Sequence, residues 1–302
     1  MEPFTLRLAN GVTVAGIANI PPSSTSGRNR RPLIVGIHGA GYSSHYFDSD
    51  ATHAAKTLSD ALDVPFVAFD RPGYGSSSPI GRVPDGSTFA EENATHLHQA
   101  ILPALWTTFG ARNGCACVVL HCHSLGTPSA IIAATLHAED PEPGYPLGGI
   151  AFSGIGSQSH PDILAFRARQ WRGEPGTETL QDLMLPRWAA DADVIDHDGS
   201  LRQHPPVEDI ETATQVWAPR WRADWAPRVQ VSMLVGLAGR DRIWEGSREH
   251  LRDIAGGFTA CPTVEELLLP GAPHNIEMSY WAPAWYARTF GFALDCALSY
   301  EL

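Results

Sequence analysis

Ser124 is the first residue whose surroundings suggest chemistry. The apolar run ACVVLHCH (116–123) reads as a buried strand, SAIIAATLHA (129–138) reads as a helix, and Ser124-Leu125-Gly126-Thr127-Pro128 joins them. A serine on a sharp strand-to-helix turn exposes its hydroxyl, and the backbone N–H groups opening the helix point at any oxyanion formed beside it. Gly126 supplies the second glycine of a G-x-S-x-G elbow, whereas Cys122 stands where the first belongs, so the motif is a near match. Alone, C-H-S-L-G is weak, because a serine ending a buried strand is more often a helix cap than a nucleophile.

A serine nucleophile needs a base to take its proton and an acid to orient that base. His274, in Pro270-Gly271-Ala272-Pro273-His274, follows the strand-like VEELLLPG (264–271), and Asp241 follows VSMLVGLAG (231–239). Asp241 has an alternative use in pairing with Arg240 or Arg242, in which case Glu245 substitutes for it. After LIVGIH (33–38), the loop His38-Gly39-Ala40-Gly41 has the glycines to fold back toward Ser124, so the N–H groups of Ala40 and Leu125 are the expected oxyanion hole. Gly39, Gly41, Tyr42, His45, His123 and Trp188 are candidates to contact substrate, and Asp70, opening the glycine-rich turn Asp70–Ser76, is a further one.

Other constellations carry less. His121 and His123 share one face of a strand, but two imidazoles make a weak metal site, so His123 is expected to line the pocket and His121 to be buried and hydrogen-bonded. No metal is expected there or at His96 and His98, and no organic cofactor is required. Cys122 should point back into the core, and Glu277 is assigned to the start of a following helix. Gly73-Tyr74-Gly75 lacks the third glycine of a dinucleotide fingerprint, because that position is Ser78. The sequon Asn93-Ala94-Thr95 falls inside an expected helix and reads as chance.

The elements that must hold these residues alternate. A hairpin is expected around Asn10-Gly11, then a loop over 21–32, and further buried parallel strands at PFVAFD (65–70), GGIAFSG (148–154) and VEELLLPG (264–271). Helices are expected near 47–62, from the capping box Thr88-Phe89-Ala90-Glu91, and near 281–297. Strand and helix in turn define an α/β class. The rhythm breaks once, over 157–229, where Trp171, Trp188, Trp217, Trp221 and Trp225 sit among many Pro, Arg and Asp residues; this is expected to be a helical insertion. Its tryptophans serve either a small core of its own or the wall of an apolar pocket.

With 302 residues, 43% of them hydrophobic, the chain can bury a large core. Its 33 acidic against 21 basic side chains give a net charge of −12, and the only basic patch, Arg28, Arg30 and Arg31, is short, which disfavours nucleic acid as partner. The 5 cysteines, at 115, 117, 122, 261 and 296, are odd in number and do not indicate a disulfide framework. The N-terminal residues alternate like a strand and lack a basic, apolar leader, so the chain reads as soluble and cytoplasmic without membrane insertion. A homodimer is left open alongside a monomer.

Together, His-Gly after an early strand, Asp70-Arg71-Pro72-Gly73-Tyr74-Gly75-Ser76, the Ser124 elbow, the late Asp241 and the late His274 resemble the α/β-hydrolase superfamily over nearly the whole chain. The resemblance implies an eight-stranded, mostly parallel sheet flanked by helices, with residues 1–156 and 230–302 as core and 157–229 as a helical cap after the sixth strand. It also implies serine-hydrolase chemistry on an ester, thioester or lactone of a small apolar substrate. The same triad serves C–C bond cleavage or formation, lactonisation and cyclisation in this superfamily, which also includes ligand receptors without turnover. Related epoxide hydrolases and dehalogenases carry Asp where this chain has Ser124. More loosely, YPLGGIAFSGIG (145–156) and the layout are similar to fungal α/β-hydrolases of secondary-metabolite pathways, some of which act on polyketide-like esters or lactones.

Overall fold

A computed structural model describes residues 1–22, 30–176 and 178–300. The strands are β1 (Glu2–Arg7), β2 (Thr13–Asn19), β3 (Arg31–Ile37), β4 (Phe66–Phe69), β5 (Cys115–His123), β6 (Leu147–Ser153), β7 (Ser232–Ala238) and β8 (Val264–Leu269). They form one sheet in the order β1-β2-β4-β3-β5-β6-β7-β8. The β1–β2 hairpin and the β2–β4 pair are antiparallel, and every pairing from β4 through to β8 is parallel. This is the expected α/β architecture. Of the expected 21–32 loop, residues 23–29, with Arg28, lie outside the described residues, and Arg31 is already buried in β3.

Helices α1 (Lys56–Leu62), α2 (Phe89–His96), α3 (Leu102–Leu105) and α4 (Gly126–Glu139) precede β6 or flank it, and α10 (Arg248–Ala255) and α11 (Ala282–Ser299) complete the layers. Between β6 and β7 run α5 (Pro161–Arg172), α6 (Leu180–Met184), α7 (Ala192–Leu201), α8 (Val207–Glu211) and α9 (Ala218–Arg220), the last bracketed by π turns.

Strand alternation sorts the sheet's side chains to its two faces. Val118, Leu120 and Cys122 of β5 join one cluster with Ala130 and Ile131 of α4, whereas Cys117 and Val119 join the other with Trp285 and Phe290 of α11. Each such fully buried large apolar side chain stabilises the fold by about 1.5–3 kcal/mol. Helix α4 is buried throughout Gly126–Thr135, as a helix that is apolar all round must be.

Two expectations need correction. The expected 47–62 helix is a 3-10 turn at Ser44–Asp48 and then α1 alone. Between them the Asp50 carboxylate accepts the backbone N–H groups of Thr52 (2.6 Å) and His53 (3.0 Å), so a side chain takes donors that a helix would need. β8, expected to be buried, is the sheet's outer edge and exposes Glu265 and Glu266, charges that discourage further strand pairing.

The residues between β6 and β7 are tied to the sheet by buried polar bonds. Arg71, after β4, pairs with Asp209 of α8 through both guanidinium nitrogens (3.0 and 2.7 Å), and Tyr74 donates to the same carboxylate. Tyr42 donates to Asp198 of α7 (2.7 Å), the Gln203 N–H to the Gly41 carbonyl (2.8 Å), and the Asn275 N–H to the Met184 carbonyl (3.0 Å).

Candidate active site

Ser124 follows the last residue of β5 with φ 46°, a left-handed conformation uncommon outside glycine. The turn is held by the Ser124 N–H on the Ser153 carbonyl and the Thr127 N–H on the Ser124 carbonyl, each 2.9 Å. Gly126 is required by space, since a Cβ there would lie 2.5 Å from the Ile37 carbonyl oxygen. Cys122 is fully buried, as expected, and burial pushes its thiol well above the usual range.

The Ser124 hydroxyl lies 3.1 Å from Nε2 of His274, and Nδ1 of His274 lies 2.8 Å from Oδ2 of Asp241. The other Asp241 oxygen accepts the N–H groups of Ile243 (2.7 Å) and Trp244 (3.1 Å). A carboxylate fixed in this way accepts the hydrogen bond from Nδ1–H and so keeps the proton on Nδ1, which leaves Nε2 as the acceptor facing the serine. Asp241 is thus bound to His274 and not to its neighbouring arginines, so Glu245 is not needed in its place. Arg242 pairs with Asp162 and Glu178, and Arg240 lies over the Trp188 ring.

The loop after β3 is oriented by His38. Its Nε2 accepts the Arg71 N–H (3.0 Å), so its Nδ1 carries the proton that is donated to the Gly39 carbonyl (2.8 Å). Burial, with Arg71 nearby, drives His38 well below the usual histidine range and keeps it neutral. With the Gly39 carbonyl turned to His38, the planar trans peptide places the Ala40 N–H on its opposite edge. Among the described residues, neither the Ala40 nor the Leu125 N–H donates to a carbonyl in the turns and loops, and both residues line the cavity that contains Ser124.

That cavity has a volume of about 250 Å³. Ser124 and His274 line it with Ala40, Gly41, Tyr42, Leu125, Ile243 and Trp244, and α5–α8 with their loops supply Ile163, Arg167, Leu180, Gln181, Met184, Arg202, Gln203, Pro205 and Ile210. A larger groove of about 820 Å³ between the β1–β2 hairpin and α2–α3 contains none of the chemistry-bearing residues, so chemistry and not size identifies the site.

Of the expected substrate contacts, Gly41 and Tyr42 line the cavity, although the Tyr42 hydroxyl is occupied by Asp198, Gln181 and Asn275. Gly39 does not line it and instead backs the nucleophile, a Cβ there falling 2.9 Å from Ser124 Cβ. His45 is exposed elsewhere. Trp188 lies 44% exposed against Trp281 and Arg240, away from the cavity. Asp70 is structural, accepting the N–H groups of Ser44 (2.9 Å) and Ser76 (3.1 Å).

His123 corrects a further expectation. Strand alternation turns it to the same side as His121, beneath the cavity, where it stacks on Tyr46 with ring centroids 4.8 Å apart. Glu277, read from the sequence as a helix start, is fully buried between the two histidines. It accepts from His121 (3.1 Å), Ser153 (3.1 Å), Trp285 (2.8 Å) and Tyr46 (2.9 Å), and His123 Nδ1 lies 3.4 Å away. Burial opposes its ionisation, but the two imidazoles beside it hold its pKa down at about 2, while burial lowers His123 to about 4 despite the carboxylate. Among the described residues no group of three or more His, Cys, Asp or Glu is arranged to hold a metal.

None of the five insertion tryptophans lines the cavity; Trp217, Trp221 and Trp225 are buried, and Trp171 is exposed. Trp244 was missed, although its position three residues after Asp241 is a usable signal. Arg167, Gln181 and Met184 gave no signal, because only packing brings them to the cavity of Ser124.

Residues 34–289 match the model of the alpha/beta hydrolase family. The chain belongs to that family. No curated protein matches it by sequence. Among solved structures, a monoacylglycerol lipase of Paleococcus ferrophilus is 18% identical with a TM-score of 0.62, over 94% of this chain and 99% of that one. The 2-hydroxy-6-oxo-6-phenylhexa-2,4-dienoate hydrolase of Rhodococcus sp. strain RHA1 is 16% identical with a TM-score of 0.62, over 96% and 99%. A thermophilic esterase of Thermogutta terrifontis is 17% identical with a TM-score of 0.59, over 95% and 97%. At these identities the likeness is one of fold. Among the described residues no helix is long and apolar enough to cross a membrane.

Proposed function

We propose that the chain is a serine hydrolase that cleaves an ester, thioester or lactone bond through an acyl-enzyme. The observation that carries this reading is the unbroken line from Asp241 through His274 to Ser124, with 2.8 and 3.1 Å contacts, opening on a cavity. His274 Nε2 takes the Ser124 proton as Oγ bonds to the acyl carbon, and the Ala40 and Leu125 N–H groups receive the oxyanion. Collapse breaks the bond to the leaving group, which takes the proton from His274; water, deprotonated by the same imidazole, then releases the acid and regenerates Ser124. The helices between β6 and β7 act as a cap, and the Ile163, Leu180, Met184 and Ile210 side chains favour an apolar acyl or alcohol portion.

The test is release of nitrophenol from short p-nitrophenyl esters, together with fluorophosphonate labelling. A burst that disappears in Ser124→Ala, with mass added at Ser124 in the wild type, supports the reading. A folded wild type that neither turns over nor labels overturns it. Solvent ¹⁸O in the product carboxylate separates hydrolysis from lactonisation or cyclisation on the same triad.

A further inference from the structure

The cavity that contains Ser124 is lined by two arginines in different states. Arg202 gives its Nε–H to Asp198 (2.8 Å). Arg167, on α5, is half-buried, lines the same cavity, and among the described residues forms no hydrogen bond, ion pair or ring contact. Its neighbours do not share that condition: Arg169 pairs with Glu178, Arg172 with Glu174, and Arg242 with both Asp162 and Glu178. Nor is there a shortage of acids, which number 33 against 21 bases, yet among the described residues no Asp or Glu lines the cavity. Burial depresses the Arg167 pKa, and no carboxylate acts against that shift.

Gln181 is a second, independent observation. It lines the cavity, is 9% exposed, and has one end of its amide at the Tyr42 hydroxyl and the other end without a partner. Whichever way the amide is turned, one polar end is left buried without a partner beside the cavity. A partly desolvated cation and a buried amide are costly unless an occupant satisfies them. A planar guanidinium matches a carboxylate through two parallel hydrogen bonds, and one positive charge balances one such group better than it balances a phosphate dianion.

We infer that the substrate carries a carboxylate, held by Arg167 in the cavity and separated by an apolar segment from the acyl carbon that Ser124 attacks. The inference deepens the hydrolase reading and rests on it for the position of the acyl carbon.

Binding tests it apart from turnover. Ser124→Ala protein is titrated calorimetrically with the monomethyl and dimethyl esters of linear C4 to C8 dicarboxylic acids, which differ at each length by one charge. At the best length the monoester should bind about 10-fold more tightly than the diester. That ratio should fall to near 1 on adding Arg167→Gln and be partly kept with Arg167→Lys, both checked for unchanged melting. Equal binding of the two esters at every length, no monoester binding at all, or a ratio untouched by Arg167→Gln overturns the inference. Inorganic phosphate competing better than acetate overturns the carboxylate assignment. Arg167-dependent monoester binding by a protein that hydrolyses no ester instead counts against the hydrolase reading alone.

Discussion

Two imidazole–carboxylate arrangements lie side by side beneath the cavity, with the His123 and His274 rings 5.0 Å apart. Both draw on the loop after β8, since His274 and Glu277 are three residues apart in it. In one, His274 is bound to Asp241 at Nδ1 and has only a serine hydroxyl at Nε2, at the edge of a cavity. In the other, Glu277 is surrounded by His121, Ser153, Trp285 and Tyr46, and the whole group is sealed from solvent. A histidine next to an acid therefore does not define an active site. What separates the two is an acceptor nitrogen aimed at an accessible hydroxyl; in the sealed cluster the His121 Nδ1 has no partner and is buried away from any hydroxyl it could serve.

The comparison breaks most sharply on activity. Ser124→Ala or His274→Ala should lower ester turnover by about 10⁴-fold or more while melting shifts little, measured by steady-state kinetics and calorimetry. Asp241→Asn should cost about 10²- to 10⁴-fold in kcat, because the amide favours the wrong imidazole tautomer; turnover at the wild-type rate would remove Asp241 from the mechanism.

The sealed cluster should fail in the opposite sense. Glu277→Ala leaves buried donors without an acceptor and should destabilise the fold by about 3–5 kcal/mol in denaturant titrations, while the fraction still folded labels at Ser124. Unaltered stability would mean that the cluster is not a support.

Acid sharpens the contrast. His38 and His123 have pKa values in the fold below their ordinary 6.5, His123 at about 4, so below 6.5 the unfolded chain binds protons that the native state refuses. Stability should therefore fall as pH drops from about 6.5 toward 4. Glu277, lowered to about 2, contributes stability that is complete above its unfolded pKa of roughly 4.3 and is lost as pH falls toward 2. His123→Gln should flatten the upper part of that slope. The smallest effect is expected at Cys122→Ala, a loss of about 1 kcal/mol with turnover retained, since the thiol only packs beneath the elbow.

The Ser124 elbow, the glycines of the His38 loop, and the strands feeding Asp241 and His274 were legible because each is a local pattern: an apolar run, a turn residue, a helix start. Glu277 was not legible, since it meets His121 across 156 positions and its neighbours resemble an ordinary helix opening. The same holds for Trp188 and the insertion tryptophans, whose side chains answer to packing partners far along the chain, and for His45, which lies near Tyr42 in sequence but faces solvent.

By itself, then, the order of residues determined the α/β alternation, the strand ends and the candidates for nucleophile, base and acid, because backbone preference and hydrophobic period act over a few residues. Only the tertiary structure decided which histidine faces the cavity, which carboxylate is sealed, and that Arg167 lines the cavity of Ser124 without an acid among the described lining residues. Those outcomes depend on burial and on which donors find acceptors, and both are settled only when distant segments pack together.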